Sequence, residues 1–138
     1  MNDAFFEHIF ALKTIAVVGL SPKPSRPSNY VSKYMFENGY DIIPVNPGHN
    51  TIFDITCYSS LKQIPFSIDI VNVFRNSKFA LQIVSDAVDI GAKVIWLQDG
   101  VESKQAQEIA KDNNIRFVMN DCIPVSYTHL TLPTILLV

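Results

Sequence analysis

Apolar and polar positions follow one another along this chain in two rhythms. Largely apolar runs occupy residues 14–19, 40–45, 68–74, 94–97 and 116–119, and each reads as a strand, the one at 68–74 with both faces covered. Between the runs, apolar residues return every three or four positions, the period of an amphipathic helix. Residues 27–38 are the first such stretch, with Val31, Tyr34 and Met35 on one face. Pro27 suits the first helical position because it has no N–H to leave unpaired, and Asn38-Gly39 stops the helix. Residues 78–90 carry Leu81, Ile83, Val84, Ala87 and Val88 and stop at Gly91, while residues 103–113 open with Ser103 as a cap. A short helix is also expected over residues 3–12, capped by Asp3, with Phe5, Phe6, Ile9, Phe10 and Leu12 toward a core. Asn46-Pro47-Gly48 is a turn. Residues 49–65 read as a loop with a short edge strand near 56–58 and a helical turn near 60–64.

Strands and helices alternate with short connections. The pattern predicts an α/β fold of three α/β/α layers around a mainly parallel sheet of about five strands. No repeat, linker or domain boundary interrupts it. In such sheets ligands bind beyond the carboxyl ends of the strands, near the point where strand order reverses. Those ends are residues 19–28, Asn46-Pro47, Phe74-Arg75-Asn76, Gln98-Asp99-Gly100 and Asn120-Asp121-Cys122, and they hold most of the unusual polar residues.

Composition narrows the classes. A chain of 138 residues suits one domain, and 48% hydrophobic residues allow a sizeable core. A net charge of −2, without a basic run, gives no pull toward nucleic acid. Cys57 and Cys122 are too few for a disulfide framework or a zinc cluster. The N-terminus does not read as a signal peptide, and no apolar run has the length of a membrane span. A cytoplasmic protein is expected.

The stretch with the most chemistry follows the first strand. The apolar run breaks at Gly19, passes through Ser, Pro, Lys and Arg, and enters a helix at Pro27. A buried strand, a tight turn and a helix start form a phosphate-binding junction, because N–H groups at a helix N-terminus lack partners and its dipole favours an anion. Lys23 and Arg26 add full charges to the same mouth. The loop lacks the glycine pattern of a dinucleotide site and of a Walker loop. Asn46-Pro47 also ends the second strand, where an NAD site usually carries an acidic residue.

At these positions the chain resembles a known family. Gly19-Leu-Ser-Pro-Lys-Pro-Ser-Arg-Pro-Ser28, Ile43-Pro-Val-Asn-Pro47, Asp69-Ile-Val-Asn-Val-Phe-Arg75, Trp96-Leu-Gln-Asp-Gly-Val101 and Val118-Met-Asn-Asp-Cys122 are similar to blocks of the small stand-alone CoA-binding proteins. That domain is similar to the CoA-binding domain of the succinyl-CoA synthetase α-subunit. The resemblance covers about residues 5 to 123 and implies a Rossmann-like fold with coenzyme A bound by its ADP part at the strand ends. It implies no reaction, since the small proteins of that family lack the synthetase's other domains. Matched block by block, it assigns Gly19, Leu20, Ser21, Lys23, Arg26 and Ser28 to the phosphate loop. Val45, Asn46 and Pro47 follow at the second turn, Phe74 and Arg75 at the third, and Trp96, Gln98 and Gly100 at the fourth. The family often reads Asp at the position of Asn72, Arg near Asn76, and Asp-Arg-Cys where this chain has Asn120-Asp121-Cys122. The last departure removes a positive charge.

Plainer readings stand beside these. Lys23 and Arg26 also suit solvated charges, and Arg75 also suits a cation snorkelling from a strand end. Asn46-Pro47 suits turn chemistry alone, and Trp96 suits core. Cys122 reads as a half-buried thiol. His8, His49 and His129 are scattered, and Asp3, Glu7, Asp69 and Asp86 form no acid–base pair, so neither metal nor catalysis is expected. Residues 125–138 carry no charge except on His129 and look like one reading frame of a transposon-end adaptor, so the native domain is expected to span residues 1–124. The expected protein is a non-enzymatic CoA or acyl-CoA binder acting on a small-molecule nucleotide, with no membrane or nucleic-acid partner and an unknown protein partner. The alternatives are an NAD(P)-binding protein or small oxidoreductase, and an interaction module with a vestigial nucleotide site.

Overall fold

The computed structural model describes residue 9, residues 11–98 and residues 100–119. The expected helix at 3–12, apart from Ile9, Ala11 and Leu12 themselves, lies outside those residues. So do Asp99, the Asn120-Asp121-Cys122 block and the tail.

Strand β1 (Thr14–Val18) sets the frame. Its Ile15, Ala16, Val17 and Val18 are all buried, and they face alternately the two cores that the sheet separates. Helix α1 (Pro27–Glu37) follows with Pro27 in its first turn and packs Val31 and Met35 onto one face. Asn38 caps its C-terminus and Gly39 takes a φ of 95°, which a side chain would oppose. Strand β2 (Asp41–Val45) returns parallel to β1.

Residues 49–65 differ from expectation. The edge strand near 56–58 is instead a small antiparallel hairpin, β3 (Thr51–Ile52) and β4 (Ile55–Thr56), with a lone bridge from Tyr58 to Val45 beyond it. The helical turn is a 3-10 turn at Leu61–Gln63.

Three further strands complete the main sheet: β5 (Ile70–Val73), β6 (Val94–Leu97) and β7 (Arg116–Val118). Helices α2 (Ala80–Asp89) and α3 (Lys104–Asp112) connect them. The helix expected from residue 78 begins as another 3-10 turn, Ser77–Phe79, which Asn76 caps by accepting from the Lys78 N–H. Ser103 caps α3 as expected, its Oγ accepting from the Ala106 N–H at 3.1 Å. Trp96 is fully buried in β6, so the core reading holds for it. The five strands lie in the order β2-β1-β5-β6-β7, all parallel, a Rossmann-like α/β arrangement. The order reverses between β1 and β5, which makes a crevice at their carboxyl ends.

The amino end of the sheet is tied by one carboxylate. Asp69 Oδ2 accepts from the N–H groups of Lys13 (3.2 Å) and Thr14 (3.3 Å), and Oδ1 faces Lys93 Nζ at 3.3 Å. The Asp69 N–H donates in turn to Thr14 Oγ1 at 2.9 Å. Burial pushes this carboxyl up, but those backbone donors and Lys93 outweigh it and hold it below its ordinary value.

Candidate functional site

The phosphate-loop candidate starts where the ladder stops. The Gly19 N–H donates to Val45 O at 2.8 Å and the Phe74 N–H to Val18 O at 2.9 Å, the last rungs on either side of β1. Beyond them the backbone of Ser21 is held from both sides by the start of α1. The Ser21 N–H donates to Ser28 Oγ at 2.9 Å, and Asn29 Nδ2 donates to Ser21 O at 2.8 Å. Ser21 Oγ accepts from the Lys23 N–H at 3.1 Å, and the Arg26 N–H reaches Lys23 O at 3.0 Å. Asn46 Nδ2 donates to Leu20 O at 2.8 Å, bracing the loop against the end of β2. Ser28 and Asn29 are therefore buried polar residues with partners, and they fix the loop rather than fill a core. The loop is held by contacts within the chain itself.

A cleft of ≈ 600 Å³ opens over this loop. Gly19, Ser21, Lys23, Arg26 and Ser28 line it from the loop, and Phe74 and Gln98 from the ends of β5 and β6. Pro27, Tyr30, Val31 and Val101 complete the wall. The first turn of α1 carries no acidic residue and has no side-chain cap, so its positive end and two cations face the cleft together. Gln98 enters from a buried position, its Nε2 donating to Asn72 Oδ1 at 2.9 Å. The amide at position 72, where the family often has Asp, thus serves as an acceptor that orients Gln98.

A second cleft, ≈ 350 Å³, lies across the crevice. Val45, Pro47 and Arg75 line this one, together with Leu61, Phe79, Ile83 and Asp86. Gly19 is common to both. A Cβ on Gly19 would stand 3.1 Å from Arg75 Cδ and 3.3 Å from the Phe74 carbonyl, and its φ of 90° is one that side chains rarely adopt. Arg75 runs past this glycine and rests its guanidinium 4.5 Å from the centre of the Phe79 ring, with Lys78 Nζ 5.1 Å from the same centre.

The expected residues thus divide. Seven share the first cleft, and three meet in the second with Gly19 between them. Leu20 is fully buried and offers the loop only its backbone. Asn46 is a brace, and Gly100 lines neither cleft. Asn29 and Tyr30 were not anticipated. Tyr30 stands one turn beyond Arg26, and that helical spacing was the available signal. Cys57 donates its thiol to Asn46 O at 3.4 Å, and burial pushes that thiol up against the opposing hydrogen bond, so it stays protonated at neutral pH. Among the described residues no group of three His, Cys, Asp or Glu is placed to hold a metal ion.

A family model described as a CoA binding domain matches residues 13–128. The chain belongs to that CoA-binding domain family. An uncharacterized Bacillus subtilis protein, YneT, is 42% identical over 115 residues, covering 83% of this chain and 85% of YneT. An ADP-forming acetate–CoA ligase of Methanocaldococcus jannaschii is 24% identical over 139 residues, covering 95% of this chain but only 20% of the ligase. A solved structure of a hypothetical protein from Pyrococcus horikoshii superposes with a TM-score of 0.90 at 36% identity, covering 94% of this chain and 92% of that one. The chain is thus similar to a small protein over most of that protein's length and to one part of an acetate–CoA ligase. The residues of the first cleft suit the family's ligand. Lys23, Arg26 and the α1 N-terminus bring positive charge to one side of that cleft, and Gln98 brings an amide to the other.

Proposed function

We propose that this domain binds coenzyme A or an acyl-CoA through its pyrophosphate at the loop of residues 19–28, and has no catalysis of its own. The observation that carries the reading is the meeting of Lys23, Arg26 and an uncapped, acid-free helix N-terminus in one cleft at the switch point of the sheet. Binding is then phosphate recognition by charge-assisted hydrogen bonds on a loop already fixed by Ser28, Asn29 and Asn46. The non-enzymatic part goes with the lack of any acid–base pair or nucleophile–base pair in the sequence motifs that line this cleft. A cytoplasmic location goes with this ligand, and no helix among the described residues is long and apolar enough to cross a membrane.

Thermal unfolding with added ligand tests the reading. A ligand that binds only the folded chain raises the melting temperature with concentration. Coenzyme A is expected to do so, and NAD at equal concentration to do much less. An equal or larger shift from NAD overturns the choice of ligand. Turnover of acetyl-CoA, with or without ADP and phosphate, by the purified chain overturns the non-enzymatic part.

A further inference from the structure

The outer face of α1 holds aromatic surface that the CoA cleft leaves over. Tyr30 and Phe36 are 55% and 54% exposed, and Pro22, Pro24 and Phe53 join them around a groove of ≈ 510 Å³. Clustered exposed aromatics of this kind mark interaction surfaces, whereas scattered ones do not. Two charges stand in the same groove, Lys33 and Glu37, one helical turn apart and both exposed. The ion pairs among the described residues join Lys62 to Asp86 and Asp89 and Lys93 to Asp69, and they leave these two out.

One cation and one anion offset by a turn along a helix make a surface that matches itself. Rotation by a two-fold axis between them sets Lys33 of one copy against Glu37 of the other, twice over. A partner of one dominant charge would meet a like charge at one of the two positions. We propose that this groove binds a second copy of the chain, giving a two-fold dimer in which α1 lies antiparallel to its mate. On this helical face Lys33 falls between Phe36 and Tyr30, so the two Lys33–Glu37 pairs lie beside the axis and the exposed aromatic rings flank them, sheltering the pairs from water. Tyr30 also lines the CoA cleft, so the dimer borders that cleft.

Analytical ultracentrifugation of the full chain, from micromolar to near-millimolar concentration, tests this. The wild type should show a monomer–dimer equilibrium. Lys33→Glu and Glu37→Lys should each weaken it by about tenfold or more, because each turns both pairs into like charges. Mixing the two variants should restore the dimer, since both contacts between positions 33 and 37 of unlike chains are then attractive. The doubly reversed chain should dimerise as the wild type does. The mixing arm separates contacts between copies from effects inside one helix, which mixing leaves unchanged. The proposal falls if the wild type stays monomeric throughout, if the single reversals dimerise like the wild type, or if the mixture associates no better than its components.

Discussion

The two ends of the parallel sheet solve opposite problems with similar residues. At the amino end, Asp69 gathers two backbone N–H groups, the Thr14 hydroxyl and Lys93 into a closed set of contacts. At the carboxyl end, Lys23 and Arg26 project beside a helix start that carries no acidic residue, and the ion pairs among the described residues leave them out. The scaffold beneath them is as well braced as the amino end, but the bracing goes to backbone atoms through Ser28, Asn29 and Asn46. One end spends its charge on the fold. The other fixes its backbone and leaves two cations outside the ion pairs of the described residues.

A change at each end should move a different observable. Replacing Asp69 by Ala should have the largest effect on folding, a loss of about 2–3 kcal/mol from the hydrogen bonds to its carboxylate. Chemical denaturation would show it, with CoA affinity of the folded variant unchanged. The cost should also depend on pH. Because Asp69 is held below its ordinary value, its contribution is complete above the carboxylate range and is lost as pH falls through its folded value. The gap between wild type and the Asn variant should therefore narrow in acid. A constant gap from neutral pH to strong acid would mean that the charge does not matter there.

The mirror experiment is at the other end. Replacing Lys23 or Arg26 by Ala should remove about 1.5–3 kcal/mol of CoA binding, a fall on the order of tenfold to a hundredfold, with the melting temperature of the free protein nearly unchanged. Calorimetric titration with CoA and dephospho-CoA would read it, and a greater loss with CoA would assign that residue to the 3′-phosphate. Unchanged affinity in both variants would reduce the loop to a connector.

Gly19 sits where the comparison blurs, since it belongs both to the strand frame and to both clefts. Gly19→Ala should cost about 1–2 kcal/mol of stability through its positive φ, and it should also disturb CoA binding by pushing Arg75 aside. A loss of stability with binding intact would assign this glycine to the frame alone.

Much of this was legible in the residues because the deciding forces are local. The apolar run of β6 fixed that strand to the residue, and Pro27 and Ser103 marked helix starts by chemistry confined to one turn. The β3–β4 hairpin was invisible for a physical reason. Its turn holds Phe53 and Asp54 at φ of 58° and 60°, a geometry usually announced by Asn-Gly or Asp-Gly, and Phe-Asp announces nothing. At the site, the charges of Lys23 and Arg26 were readable, but the closeness of Gly19 to Arg75 was not. It exists only because β5 pairs beside β1. The same long-range pairing sent Val45, Pro47 and Arg75 to a second cleft instead of the first.

The place of β1 between β2 and β5 has a consequence in time. As the chain leaves the ribosome, the loop of residues 19–28 emerges early, yet its cleft needs Phe74 from the third strand of the main sheet and Gln98 from the fourth. A nascent chain can brace the loop against Asn46 as soon as β2 has paired, but it has no second wall until synthesis has passed β6. The cleft is thus completed late and in two steps, Phe74 with the third strand and Gln98 with the fourth. A chain truncated before β6 would carry the most recognisable part of the cleft without its far wall.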